Sequence, residues 1–145
     1  MKILALIPAR MGSSRFPGKP MEKILDKPMI GHVYDAVSQC KSLTVTAVAT
    51  CDNEIYEYIN SLDGEAIMTQ DSHERASDRC AEALLKIEEE RNIKFDIVVM
   101  IQGDEPMTHP NMIDEAIKPM LEDESIKVVN LIANISTQDL SLIHI

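Results

Sequence analysis

Apolar residues along this 145-residue chain gather in two alternating patterns. Short continuous runs at 3–7, 43–50, around 66–68, 95–101 and 128–135 are of the kind that forms strands buried on both faces. Between them apolar positions recur with helical spacing. Ile30, Val33, Tyr34 and Val37 stand at i, i+3, i+4 and i+7, as do Cys80, Ala83, Leu84 and Ile87. Ile113, Ala116, Ile117, Met120 and Leu121 make a third stripe, which Pro119 is expected to kink or end early. Asp52 is placed to cap a fourth helix running to Leu62. This β-α-β-α rhythm predicts an α/β fold, mostly parallel sheet with helices on both faces, in which ligands sit beyond the carboxyl ends of the strands.

Three polar loops follow predicted strands. The first, from Pro8 to Pro20, opens a stretch in which five basic residues (Arg10, Arg15, Lys19, Lys23, Lys27) fall within eighteen positions, against only Glu22 and Asp26. Glycine and serine between those charges let backbone N–H groups approach a polyanion, so the loop is a candidate phosphate cradle. The second loop, Met68 to Arg79, contains His73, Ser77 and Arg79; the third is Gln102-Gly103-Asp104-Glu105-Pro106. A carboxylate behind a turn glycine at a strand end can hold magnesium against phosphate oxygens, which makes Asp104 the candidate metal ligand.

Composition narrows the classes. The formal net charge of -10 argues against nonspecific nucleic-acid binding, and two Phe and three Tyr are too few for a base-stacking platform. Cys40, Cys51 and Cys80 are odd in number and widely spaced, which suggests neither a disulfide framework nor a zinc site. The apolar run at 3–7 is cut short by Pro8 and Arg10, so it reads as a first strand rather than a signal peptide, and no segment is apolar enough to span a membrane. The expectation is one cytoplasmic globular domain.

The spelling of the loops is more specific than their charge. Ile7-Pro8-Ala9-Arg10, Ser14-Arg15-Phe16-Pro17-Gly18-Lys19-Pro20, Met68-Thr69 with His73 and Asp78-Arg79, and Gln102-Gly103-Asp104-Glu105-Pro106 resemble, in order and spacing, the motifs of the 3-deoxy-manno-octulosonate (Kdo) cytidylyltransferase family, the CMP-Kdo synthetases. The resemblance covers residues 1–135. It implies a Rossmann-like nucleotidyltransferase fold and transfer of CMP from CTP to a sugar acid, with release of pyrophosphate, in lipopolysaccharide or other surface-polysaccharide precursor synthesis. It also implies magnesium as cofactor and, for full-length members, a homodimer. Carried onto this chain, it makes Arg10, Ser14, Arg15 and Lys19 the triphosphate-binding set, with Ala9 beside them, and Asp104 a magnesium-binding aspartate. Gln102 falls in a substrate-contact segment, and His73, Ser77 and Arg79 in a segment lining the cytosine and sugar side. His32, His109 and His144 receive no role.

Two departures qualify the resemblance. Arg75-Ala76-Ser77 stands where the family generally has Ser-Gly-Thr, which bears on the base or sugar pocket. A sialic-acid-like or spore-coat polysaccharide sugar is the alternative acceptor. Residues 136–145 do not resemble the family's continuation, and the second metal-binding aspartate of the family lies beyond this length. The chain is therefore expected to be truncated and inactive alone, and a non-catalytic nucleotide-binding fragment is the rival reading.

Overall fold

The computed structural model describes residues 1–12 and 15–132. A four-stranded parallel sheet forms its centre, built from β1 (Ile3–Ala9), β4 (Val45–Thr50), β5 (Glu65–Met68) and β6 (Ile97–Met100) in the order β5-β4-β1-β6. A two-stranded antiparallel ribbon, β2 (Lys23–Ile24) and β3 (Lys27–Pro28), leaves the sheet after the first loop. The helices are α1 (Met29–Ser38), α2 (Asn53–Ser61), α3 (Ala76–Arg91) and α4 (Pro110–Glu122).

Alternation along β1 divides the core. Ala5, Ile7 and Ala9 face one side, with Ile30, Val33 and Val37 of α1, Ile55 and Ile59 of α2 and Ile113 of α4. Leu4 and Leu6 face the other, against Cys80, Ala83 and Ile87 of α3. Every residue of β1 is buried, which explains why its sequence is a continuous apolar run rather than an alternating one. The register Leu4↔Val45 and Leu4↔Val98 places β1 between β4 and β6, with the carboxyl ends of all three at one edge. Among the described residues no helix is long and apolar enough to cross a membrane.

Three local expectations are corrected. The run at 128–135 forms no strand over its described part, 128–132; its end lies outside the described residues. Val128, Leu131 and Ile132 are exposed and pair with no sheet edge, and an apolar run without a partner strand has nothing to hydrogen-bond it into β structure. Helix α4 continues three residues past Pro119, because Ile117 and Met120 on either side pack onto Ile3 and Ile97 and hold the last turn. Asp52 occupies the N-cap position of α2, but its side chain makes no cap hydrogen bond.

Candidate functional site

A cleft of about 270 Å³ opens at the carboxyl edge of the sheet. Its first wall is the end of β1: Pro8 and Ala9, then Arg10, the first residue past the strand. The chain returns to this wall at Gly18, whose N–H donates to the Met11 carbonyl at 2.8 Å. Gly18 has φ of 76°, a left-handed conformation that glycine adopts without strain, and it launches the short 3-10 helix Lys19–Met21. Lys19 and the buried Pro20 thereby join Arg10 around the cleft.

The third loop meets them through a close backbone approach. Ile101 N–H donates to the Leu6 carbonyl at 3.0 Å, continuing the β1–β6 pairing to the edge. A Cβ on Gly103 would stand 2.7 Å from the Pro8 carbonyl oxygen, so only glycine lets this turn lie flat against β1. That contact delivers Asp104 to Lys19, whose Nζ lies 3.4 Å from Asp104 Oδ2. Both side chains are substantially exposed, so the pair is worth little to stability and both groups remain open to a ligand.

The back wall comes from α3 and the segment before it. Arg79 is 3% exposed; its Nε donates to Thr69 Oγ1 at 3.0 Å and its Nη2 to the Gln70 carbonyl at 3.4 Å and Cys51 Sγ at 3.6 Å. Among the described residues no carboxylate forms an ion pair with this guanidinium, which lines the cleft. A buried cation with neutral partners favours an anion beside it. Glu74 and Ala76 complete the wall. Ala76 begins α3 without a positive φ, so the absence of glycine here costs the backbone nothing.

Of the residues singled out from sequence, Ala9, Arg10, Lys19, Arg79, Gln102 and Asp104 surround this one cleft. Ser77 is exposed on the first turn of α3 and does not line it. Arg15 is exposed and also away from the lining, and Ser14 lies outside the described residues. His73 turns instead to Glu82, Nε2 to Oε1 at 2.8 Å. Glu82 also accepts from the Gln70 N–H at 3.1 Å, and Lys86 Nζ lies 2.8 Å from its Oε2. Burial pushes the Glu82 carboxyl up, but contact with Lys86, His73 and the Gln70 N–H outweighs burial and brings it down to about 2. Lys27, one of the five clustered cations, pairs with Asp35 on α1, and His109 accepts from the Asn111 N–H at the start of α4.

Among the described residues no group of three His, Cys, Asp or Glu could hold a metal ion by itself. Magnesium, however, commonly takes one or two carboxylates and completes its shell with water and substrate phosphates. Asp104, a carboxylate exposed at a cleft that also holds Arg10, Lys19 and Arg79, fits that donor set, with Glu74 on the back wall.

Residues 4–141 match the protein family described as cytidylyltransferase. The chain belongs to that family. The chain is 42% identical over 137 residues to a Geobacter metallireducens protein named 3-deoxy-manno-octulosonate cytidylyltransferase, covering 94% of this chain and 52% of the relative. A Trichlorobacter lovleyi protein of the same name is 44% identical over 131 residues, covering 90% and 50%. The solved structure of CMP:2-keto-3-deoxy-manno-octonic acid synthetase complexed with CTP superposes with a TM-score of 0.80 at 38% identity, covering 87% of this chain and 50% of that one. A cytidylyltransferase structure from Leptospira borgpetersenii gives a TM-score of 0.70 at 26% identity, covering 86% and 50%. The chain thus spans about half the length of the relatives it matches, and the expected Rossmann-like α/β fold is the one they share.

Sequence reasoning missed Glu82 and the true partner of Asp52. Neither had a usable local signal. The i,i+4 spacing of Glu82 and Lys86 reads as an ordinary helix-surface pair, and a carboxylate before a helix reads as a cap.

Proposed function

We propose that this chain carries the nucleotide-binding half of a cytidylyltransferase that transfers CMP from CTP to a 3-deoxy-ulosonic acid of the Kdo type, with release of pyrophosphate, in lipopolysaccharide or other surface-polysaccharide precursor synthesis. The observation that carries the reading is the convergence of Arg10, Lys19, Arg79 and Asp104, drawn from three separate segments, on one cleft in a chain of net charge -10. Three cations gathered in an acidic protein suit a polyphosphate.

In this reaction the anomeric hydroxyl of the sugar acid attacks the α-phosphorus and gives up its proton to solvent, the bond from that phosphorus to the bridging oxygen of the β-phosphate breaks, and pyrophosphate leaves with the electron pair. Arg10 and Lys19 supply charged N–H donors to the departing phosphates, where negative charge grows in the transition state. Their fixed positions beyond β1 mean that little reorganisation is needed as that charge develops. Asp104 would hold magnesium, which when bound neutralises phosphate charge and eases deprotonation of a hydroxyl. Arg79, held by Thr69 and Gln70, offers its guanidinium to an anionic or acceptor-rich part of the substrates. A related acceptor of the sialic-acid type is the second reading. It rests on Ala76, which lines the cleft where the resemblance has glycine.

Calorimetric titration of the chain with CTP in magnesium tests the proposal, beside a pyrophosphate-release assay with Kdo. The expected result is CTP binding that Lys19→Ala weakens by roughly tenfold or more, as for a lost charge-assisted contact. No CTP binding by the parent chain, or equal binding by the variant, would overturn it.

A further inference from the structure

We propose that Asp52 is a positioning residue for the basic loop: by holding the Met11 N–H it sets the cations on either side of that loop. The inference rests on the phosphate-binding reading of the cleft. Asp52 Oδ2 accepts from the Met11 N–H at 2.8 Å, across 41 residues of sequence. The Met11 carbonyl accepts from the Gly18 N–H, also at 2.8 Å. Both backbone polar groups of Met11 are therefore pinned. Arg10 immediately precedes this pinned residue, and Lys19 immediately follows the glycine bonded to it. One carboxylate thus governs both cations that line the first wall.

Asp52 is itself well anchored. Its N–H donates to the Oγ1 of fully buried Thr50 at 3.1 Å, and its carbonyl accepts from the Tyr56 N–H to start α2. A carboxylate at that position ordinarily caps its own helix, yet this one makes no cap hydrogen bond and reaches the loop. It also accepts from the Cys51 thiol at 3.6 Å, and Cys51 Sγ in turn accepts from Arg79 at 3.6 Å. The end of β4 consequently braces both walls of the cleft. Its negative charge opposes a polyanion nearby, so a purely electrostatic role and a positioning role predict opposite signs on binding.

That opposition makes the test. Asp52→Ala and Asp52→Asn are compared with the parent in CTP affinity by calorimetry and in amide hydrogen exchange by NMR without ligand, with the Asp96 N–H, bonded to the Lys2 carbonyl, reporting the intact fold. The asparagine carbonyl can still accept from Met11. In Asp52→Ala the Met11 and Gly18 amides should lose protection while Asp96 keeps it, and CTP affinity should fall about tenfold, since Arg10 and Lys19 must then order on binding. Asp52→Asn should keep that protection and bind within about threefold of the parent. Loss of Asp96 protection in Asp52→Ala moves the comparison to Asp52→Asn, where exposed Met11 and Gly18 amides overturn the inference. Unchanged Met11 and Gly18 protection in Asp52→Ala, or CTP binding as tight as the parent's or tighter, overturns it as well. A parent that binds no CTP overturns the phosphate-binding reading and, with it, this role, while the amide pattern still decides whether the tether exists.

Discussion

Replacing Glu82 by Gln should make the chain less stable at neutral pH and flatten its response to acid. The carboxyl lies at about 2 in the folded chain against an ordinary 4.5, because the Lys86, His73 and Gln70 contacts outweigh burial. A carboxyl lowered on folding stabilises the fold above its unfolded value, and that stabilisation drains away as pH falls from 4.5 toward 2. The full difference corresponds to a ceiling of roughly 3 kcal/mol. The side chain is 18% exposed, so solvent screening brings the expectation to roughly 1–2 kcal/mol. By about pH 2.5 some three quarters of the effect should be gone. Urea unfolding of parent and Glu82→Gln at pH 6 and pH 2.5 measures it, and the stability difference should shrink between the two. Glu88, which accepts from the Phe95 N–H and also lies low, is common to both proteins and cancels. An equal difference at both pH values, or none at pH 6, would refute the argument that these contacts hold the second loop.

Gly103→Ala puts a Cβ 2.7 Å from the Pro8 carbonyl, so melting should show a loss of about 1–3 kcal/mol; an unchanged midpoint would mean that the turn shifts freely. Asp104→Asn keeps the shape of the side chain but removes its charge, and a magnesium titration should show CTP affinity losing much of its metal dependence; an unaltered dependence removes Asp104 as the ligand. Arg79→Met retains an apolar stem without the guanidinium, and CTP or sugar-acid binding should weaken by about tenfold or more in calorimetry while the far-UV spectrum stays the same. Undiminished binding of both ligands would confine Arg79 to a packing role.

The sheet was readable because its chemistry is local. A strand buried on both faces must be apolar throughout, and 3–7 announces β1 for that reason, as do the helical stripes of α1 and α3. The loops could be assigned to one edge because a parallel sheet puts all its carboxyl ends together, which is how Arg10 and Asp104 were expected near each other. What stayed hidden depends on long-range partners. His73 answers to a carboxylate on α3, and Asp52 to a backbone N–H 41 residues earlier; neither spacing leaves a periodic trace. The run at 128–132 failed for the complementary reason, since strand-forming residues do not disclose whether a neighbouring edge exists.

The central place of β1 bears on the order in which the chain can fold. β1 pairs with β4 and with β6, and its start is tied to Asp96, 94 residues downstream. At roughly 5–20 residues per second of synthesis, β1 waits about 5–20 s for its second neighbour to emerge from the ribosome. Its apolar run at 3–7 has no charge to deter a wrong partner in that interval. Pairing with β4 and docking of α1 need only residues 1–50, whereas β6 and the turn that carries Asp104 are made later. Arg10, Lys19 and Arg79 are thus all made before Asp104, the residue that meets Lys19 across the cleft.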